Sequence, residues 1–175
     1  MLTRRDFYRA GSVALGSLMG LVLAVPGAAY LLDPLRRKAG GVTSYPLARL
    51  SDLPVGVPRA FAIVDERKDA WVTYPKRPIG TVWLVRRPEG SETPVVAYQA
   101  ECPHLGCVIG ADHGGTSFRC PCHGATFAID GSSTNGVSPR SMDYLEVEVL
   151  SDANSTVSVR YQRFRPQATK RLPLA

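Results

Sequence analysis

Two short loops, Cys102-Pro103-His104-Leu105-Gly106-Cys107 and Cys120-Pro121-Cys122-His123-Gly124, contain all four cysteines and two of the three histidines of this 175-residue chain. Sulfur and imidazole crowded this way in an otherwise cysteine-free sequence require a fold that brings both loops to one place, around a metal site, a disulfide or both. Each loop supplies one Cys and one His in tight spacing plus a further Cys, and its Gly and Pro residues impose the turns needed to wrap a compact object. Two matching half-sites imply a two-part target. A diiron cluster with one iron on two thiolates and the other on two imidazoles suits this inventory. A zinc ion on two Cys and two His is the alternative, but structural zinc usually has two to four residues between paired ligands, and it leaves the second cysteine pair unexplained. Two plain disulfides would leave His104 and His123 idle. The third histidine, His113, stands outside both loops in a Gly-rich stretch and reads as an exposed side chain.

Residues 10–32 contain no charged side chain. At about 1.5 Å rise per residue such a stretch spans roughly 35 Å, enough to cross a hydrocarbon core of about 30 Å with some tilt. Pro26 is a candidate kink. Arg4, Arg5 and Arg9 on one side balance Arg36, Arg37 and Lys38 on the other, so positive-inside counting does not orient it. Thr3-Arg4-Arg5-Asp6-Phe7 resembles a twin-arginine export motif ahead of a modestly hydrophobic segment, which would place the remainder outside the cytoplasmic membrane. The small residues Gly27-Ala28-Ala29 leave signal cleavage open, and retention as an anchor is the reading adopted. Residues 1–9 are then a leader, 10–32 the transmembrane anchor and 33–50 a hinge linker, with Gly40-Gly41 as its breaker.

From Ser51 onward, short apolar runs such as Phe61–Val64, Thr81–Val85 and Pro94–Tyr98 are separated by Pro, Gly, Asp and Lys clusters, a strand pattern. Residues 144–150 and 156–160 alternate strictly, as half-buried antiparallel strands do. The head, 51–161, is therefore mainly β, with Trp71 and Trp83 as core aromatics. Residues 162–175, rich in Arg, Pro and Gln, read as a poorly ordered tail. The net charge of +6 does not indicate a nucleic-acid partner: residues 1–38 carry +4 and 160–175 carry +5, leaving −3 between them. A basic footprint confined to a membrane flank and a tail fits lipid headgroups or solvation.

The two loops have the form C-x-H-x-G-C and C-x-C-H-G, and here the chain resembles the Rieske iron-sulfur proteins of cytochrome bc complexes. The resemblance covers about 125 residues from the hinge to the last strand, and the anchor. It implies an all-β Rieske-type antiparallel sandwich with a small cluster-binding subdomain at about 99–140, behind one N-terminal transmembrane helix. By motif position it implies one [2Fe-2S] cluster, with Cys102 and Cys120 on the inner iron, His104 and His123 on the outer one, and a Cys107–Cys122 disulfide. Imidazole in place of two thiolates makes the site less negative and reduction easier. Solvent-facing imidazoles couple electron uptake to a proton, which suits a quinol, and the family's quinol-contacting histidine maps to His123 with His104 beside it.

The resemblance further implies a quinol:cytochrome c oxidoreductase subunit that works with a cytochrome b and a c-type cytochrome in a dimeric complex on the outer side of a bacterial membrane, and that turns over nothing alone. The small electron-transfer subunit of a periplasmic molybdenum oxidoreductase resembling arsenite oxidase is the second reading, because the Cys-Pro-His form of the first loop fits it too. Departures from the family pattern matter. Where many members carry Ser and Tyr after the second motif, this chain has Ala125 and Phe127. Both hydroxyl donors to cluster sulfur are missing, so the expected potential is low and menaquinol the better-matched quinol. Pro103 replaces a common Thr. Gly136–Arg140 resembles the family's Pro-rich covering loop with one Pro fewer, which predicts looser cover.

Overall fold

The computed structural model describes residues 3–36, 42–69, 72–112 and 114–174. Trp71, His113 and the Gly40-Gly41 breaker lie outside them, so the readings made for those positions stay as sequence expectations. The chain divides into two compact units, residues 1–41 and 42–175.

The first unit is one helix, α1 (Arg4–Arg36). Thr3 opens it as a capping box: its hydroxyl accepts from the Asp6 backbone N–H at 3.3 Å while the Asp6 carboxylate accepts from the Thr3 N–H at 3.2 Å. The helix continues through Pro26 and reaches beyond the predicted 10–32 at both ends. Residues 4–33 are long and apolar enough to cross a membrane, and none of the apolar stretch is buried by protein. An all-round apolar helix has no aqueous way to bury itself.

The second unit is built on a six-stranded antiparallel sheet with order β1-β9-β8-β4-β3-β2. Its strands are β1 (Thr43–Arg49), β2 (Arg59–Asp69), β3 (Val72–Arg86), β4 (Val95–Gln99), β8 (Tyr144–Val149) and β9 (Thr156–Tyr161). Pairing between β4 and β8 is confined to Ala97 with Leu145 and Tyr98 with Tyr144. The two layers of the expected sandwich are thus the halves of one sheet. Its outer strands are bridged where the Tyr45 hydroxyl of β1 donates to the Asp65 carboxylate of β2. On β8 the predicted alternation holds, with Leu145, Val147 and Val149 turned inward and Tyr144, Glu146 and Glu148 exposed. Leu53, Ile63, Val82, Leu84, Ala97, Leu145, Val157 and Val159 form the core between the halves. Full burial of each such aliphatic side chain stabilises the fold by about 1.5–3 kcal/mol.

Between β4 and β8 the chain inserts a three-stranded sheet, β5 (Gly110–Ala111), β6 (Ser117–Arg119) and β7 (Thr126–Ala128). A second core of Ile109, Phe118, Ala125, Phe127 and Met142 seats it on the larger sheet. Trp83 joins the two, stacking at 5.5 Å from Phe118 and donating its indole N–H to the Ile109 carbonyl at 2.9 Å. Expected as a core aromatic, it is half-buried and packs against this second core.

Two sequence expectations are corrected. Of the hinge predicted over 33–50, residues 33–36 belong to α1 and Thr43–Arg49 is a strand paired with β9. Pro46 hid it: the register shifts between Pro46 and Ala48, which spoils the period-2 pattern, and a proline is tolerated there because β1 is an edge strand. The tail predicted to be poorly ordered is instead held in place. Phe164 is buried in the main core, Arg165 N–H donates to Leu172 O and Leu174 N–H to Arg163 O at 2.8 Å each, and Arg171 stacks over the Tyr144 ring at 3.7 Å. Long-range contacts of this kind leave no local period to read.

Candidate metal centre

Each cysteine loop is a closed turn, and the two close alike. In the first, Cys102 N–H donates to Cys107 O and Gly106 N–H returns to Cys102 O, both at 2.8 Å. In the second, Cys120 N–H donates to Ala125 O at 2.8 Å and Gly124 N–H returns to Cys120 O at 3.2 Å. Gly106 and Gly124 stand at φ of 80° and 72°, the left-handed region that side chains with a Cβ avoid. The glycines flagged in both motifs therefore let each loop turn back on its first cysteine.

The loops present opposite chemistry inward and outward. Cys102 and Cys120 are free thiols, 1% and 2% exposed. His104 is half-buried and His123 exposed, with ring centroids 5.0 Å apart and planes near perpendicular. Cys107 and Cys122 form a disulfide across the two loops. Among the described residues the Sγ atoms of Cys107, Cys120 and Cys122 lie within 4.8 Å of one another. Because two of these are already joined to each other, that trio is not a ligand set. What remains is two buried sulfurs, on Cys102 and Cys120, and two neighbouring imidazoles, one half-buried and one exposed.

Burial pushes the Cys102 thiol up, and contact with the Cys120 side chain adds to this, while hydrogen bonds from the His104 and Leu105 backbone amides pull the other way. Burial disfavours the free Cys102 thiolate, and a cation held at its sulfur would offset that charge. The donor set fits a cluster with an inner, sulfur-held iron and an outer, imidazole-held one. Ala125 and Phe127, fully buried in the same core as Cys102 and Cys120, carry no hydroxyl.

Sequence reading missed the residues that hold the loops. Asn135 donates its side-chain N–H to Gly124 O at 2.7 Å, and its carbonyl oxygen accepts from Thr126 N–H at 3.3 Å and Val137 N–H at 3.4 Å. It ties the second loop to residues 136–140, where Ser138 is buried and bonded to Arg140 O at 2.7 Å. On the first loop, Arg163 pairs with both oxygens of Glu101 at 3.0 Å. Asparagine near glycine and an arginine in a polar tail carry no periodic signal.

Three comparisons place these features among known proteins. The chain is 38% identical over 66 residues to a chloroplastic cytochrome b6-f complex iron-sulfur subunit of Bigelowiella natans, covering 38% of this chain and 26% of that protein. It is 38% identical over 65 residues to a cytochrome b6-f complex iron-sulfur subunit of Prochlorococcus marinus, covering 37% of this chain and 36% of that protein. The chain spans about a third of the length of these curated relatives. Among solved structures, a cyanobacterial plasma membrane Rieske protein from Synechocystis aligns with TM-score 0.38 and 30% identity over 49% of this chain and 81% of that one. Residues 43–148, which include both loops and the strands that carry them, match the Rieske [2Fe-2S] domain family. With its disulfide-linked Cys/His loops and that match over more than half its length, the chain belongs to the Rieske [2Fe-2S] family, and its cofactor is one [2Fe-2S] cluster.

Proposed function

We propose that the protein is the Rieske electron-transfer subunit of a membrane-bound quinol:cytochrome c oxidoreductase, with Cys102 and Cys120 holding the inner iron and His104 and His123 the outer one. The observation that carries this is the pairing of buried free thiols with two adjacent surface imidazoles. When bound, the cluster supplies a one-electron acceptor. His123, exposed at the tip of its loop, offers a ring nitrogen to a quinol hydroxyl and takes its proton. His104 stands beside it.

The names of the relatives, iron-sulfur subunits of cytochrome b6-f complexes, support partners of cytochrome type, here a cytochrome b and a c-type cytochrome in a dimeric assembly. The apolar helix supports a single-pass anchor in a bacterial cytoplasmic membrane. A disulfide persists in an oxidising compartment, which with the Arg4-Arg5 motif supports an outer-side head exported by the twin-arginine route. The chain by itself accepts and donates an electron and catalyses no turnover. The absent hydroxyls at Ala125 and Phe127 favour menaquinol.

Cys102-Pro103-His104 also suits the small subunit of a molybdenum oxidoreductase resembling arsenite oxidase; copurification with a molybdenum protein instead of a cytochrome b would select that reading. The test of the ligand set is a redox titration followed by electron paramagnetic resonance at several pH values. A reduced signal with average g below 2 and a potential that falls as pH rises is expected. A colourless zinc protein would refute the cluster ligation. A potential indifferent to pH would remove the proton-coupled quinol role.

A further inference from the structure

The C-terminal segment touches the first cysteine loop at three places. Arg163 grips Glu101, next to Cys102, through two bonds of 3.0 Å. The Pro166 ring lies beside Gly106. Gln167 N–H donates to Pro103 O at 2.9 Å. Pro103 sits between Cys102 and His104, and its carbonyl belongs to the same planar peptide as the His104 N–H. Cys102 is in turn held by the bonds that close the loop, its N–H donating to Cys107 O and its carbonyl accepting from Gly106 N–H, both at 2.8 Å. One rigid peptide therefore links the tail to Cys102 and His104, and its position sets where the His104 N–H points relative to the Cys102 sulfur.

The segment is built to stay there. Gln167 has φ of 60°, a conformation a non-glycine residue keeps only when its surroundings impose it. The Arg140 guanidinium imposes it by donating to the carbonyls of Arg165, at 3.0 Å, and Ala168, on either side of Gln167. It also forms a two-pronged pair with Asp143 at 2.9 and 2.7 Å, the two side chains being 10% and 3% exposed. The second loop has a different holder, Asn135. The segment follows β9 and lies beyond the residues that match the family, 43–148.

We propose that residues 162–174 brace the first cysteine loop and raise the cluster's reduction potential, with Arg140 and the Gln167 backbone N–H as positioning groups. An N–H directed at a thiolate stabilises the more negative, reduced state. With no hydroxyl at Ala125 or Phe127, backbone donors form a larger share of that stabilisation. The inference rests on the reading of Cys102 as a cluster thiolate.

The test uses the anchored full chain, a chain ended after Arg165, and the full-length double variant Arg140→Met/Asp143→Asn, which leaves no buried charge unpaired. The expected result is a reduced-to-oxidised ratio about threefold lower at fixed ambient potential in both variants, a shift of about 28 mV at 59 mV per tenfold for a one-electron couple. If the truncated chain does not keep its cluster, the double variant decides alone. Wild-type potentials in cluster-loaded variants would overturn the brace. Wild-type protein labelled with histidine carrying ¹⁵N only at the backbone nitrogen gives an independent reading by pulsed paramagnetic resonance: a hyperfine coupling is expected, and its absence overturns the proposal even if no variant holds a cluster. A Cys102→Ser chain that retains the normal cluster would instead refute the ligand reading beneath it.

Discussion

Ala125 and Phe127 are fully buried in the core that also holds Cys102 and Cys120, and on the proposed cluster ligation their lack of hydroxyls disfavours the reduced state. On that reading Ala125→Ser and Phe127→Tyr each restore a hydroxyl that many relatives direct at cluster sulfur. A net hydrogen bond contributes about 0.5–1.5 kcal/mol, so each substitution is expected to raise the potential by roughly 20–60 mV, given about 59 mV per 1.4 kcal/mol for one electron. Redox titration of the two single variants checks this, and an unchanged or lowered potential in both would sink it. A second residue-scale effect concerns Tyr45. Burial first, and then the hydrogen bond to Asp65, push its hydroxyl up to about 12 from 10.0. In the unfolded chain it ionises near 10.0, so its contribution to stability is complete below that pH and is lost as pH rises to about 12. Denaturant melts of wild type and Tyr45→Phe should therefore converge over that window, and parallel curves would remove Tyr45 from the account.

At the scale of elements, the two cysteine loops are separate turns on a small sheet, and the Cys107–Cys122 bond joins them across a sequence separation of 15. Closing a loop of that length contributes about 3 kcal/mol. Cys107→Ser with Cys122→Ser should lower the unfolding free energy by about that amount and speed cluster loss, measured by the decay of visible absorbance in chelator. The loops themselves were legible in the sequence because the chemistry fixes residue type and spacing locally. Strand β1 and the ordered tail were not. Pro46 breaks the alternation of β1, and the tail is held by Phe164, Arg140 and Arg163 through contacts distant in sequence.

For the molecule as a whole, the head has its own two cores and divides from the helix as a separate compact unit. A chain beginning at Val42 is expected to fold and remain soluble without detergent, with the full-length thermal transition midpoint within a few degrees. The full chain should stay in the membrane fraction through alkaline carbonate, because α1 has no protein surface to bury it. Recovery of the full chain in the soluble fraction would contradict the anchor, and aggregation of the Val42 chain would contradict an independent head.

The sequence by itself determined the parts whose physics is local: an uncharged helix long enough for a bilayer, alternating strands, and two turns carrying Cys and His at spacings that suit a compact metal centre. Tertiary structure decided what depends on residues far apart in the chain. It bent one sheet into both halves of the sandwich through the short β4–β8 contact, paired β1 with β9, buried two thiols, brought two imidazoles side by side and folded the tail onto the first loop. Such contacts form because buried area and matched hydrogen bonds across the whole head outweigh chain entropy, a balance that no window of local sequence contains.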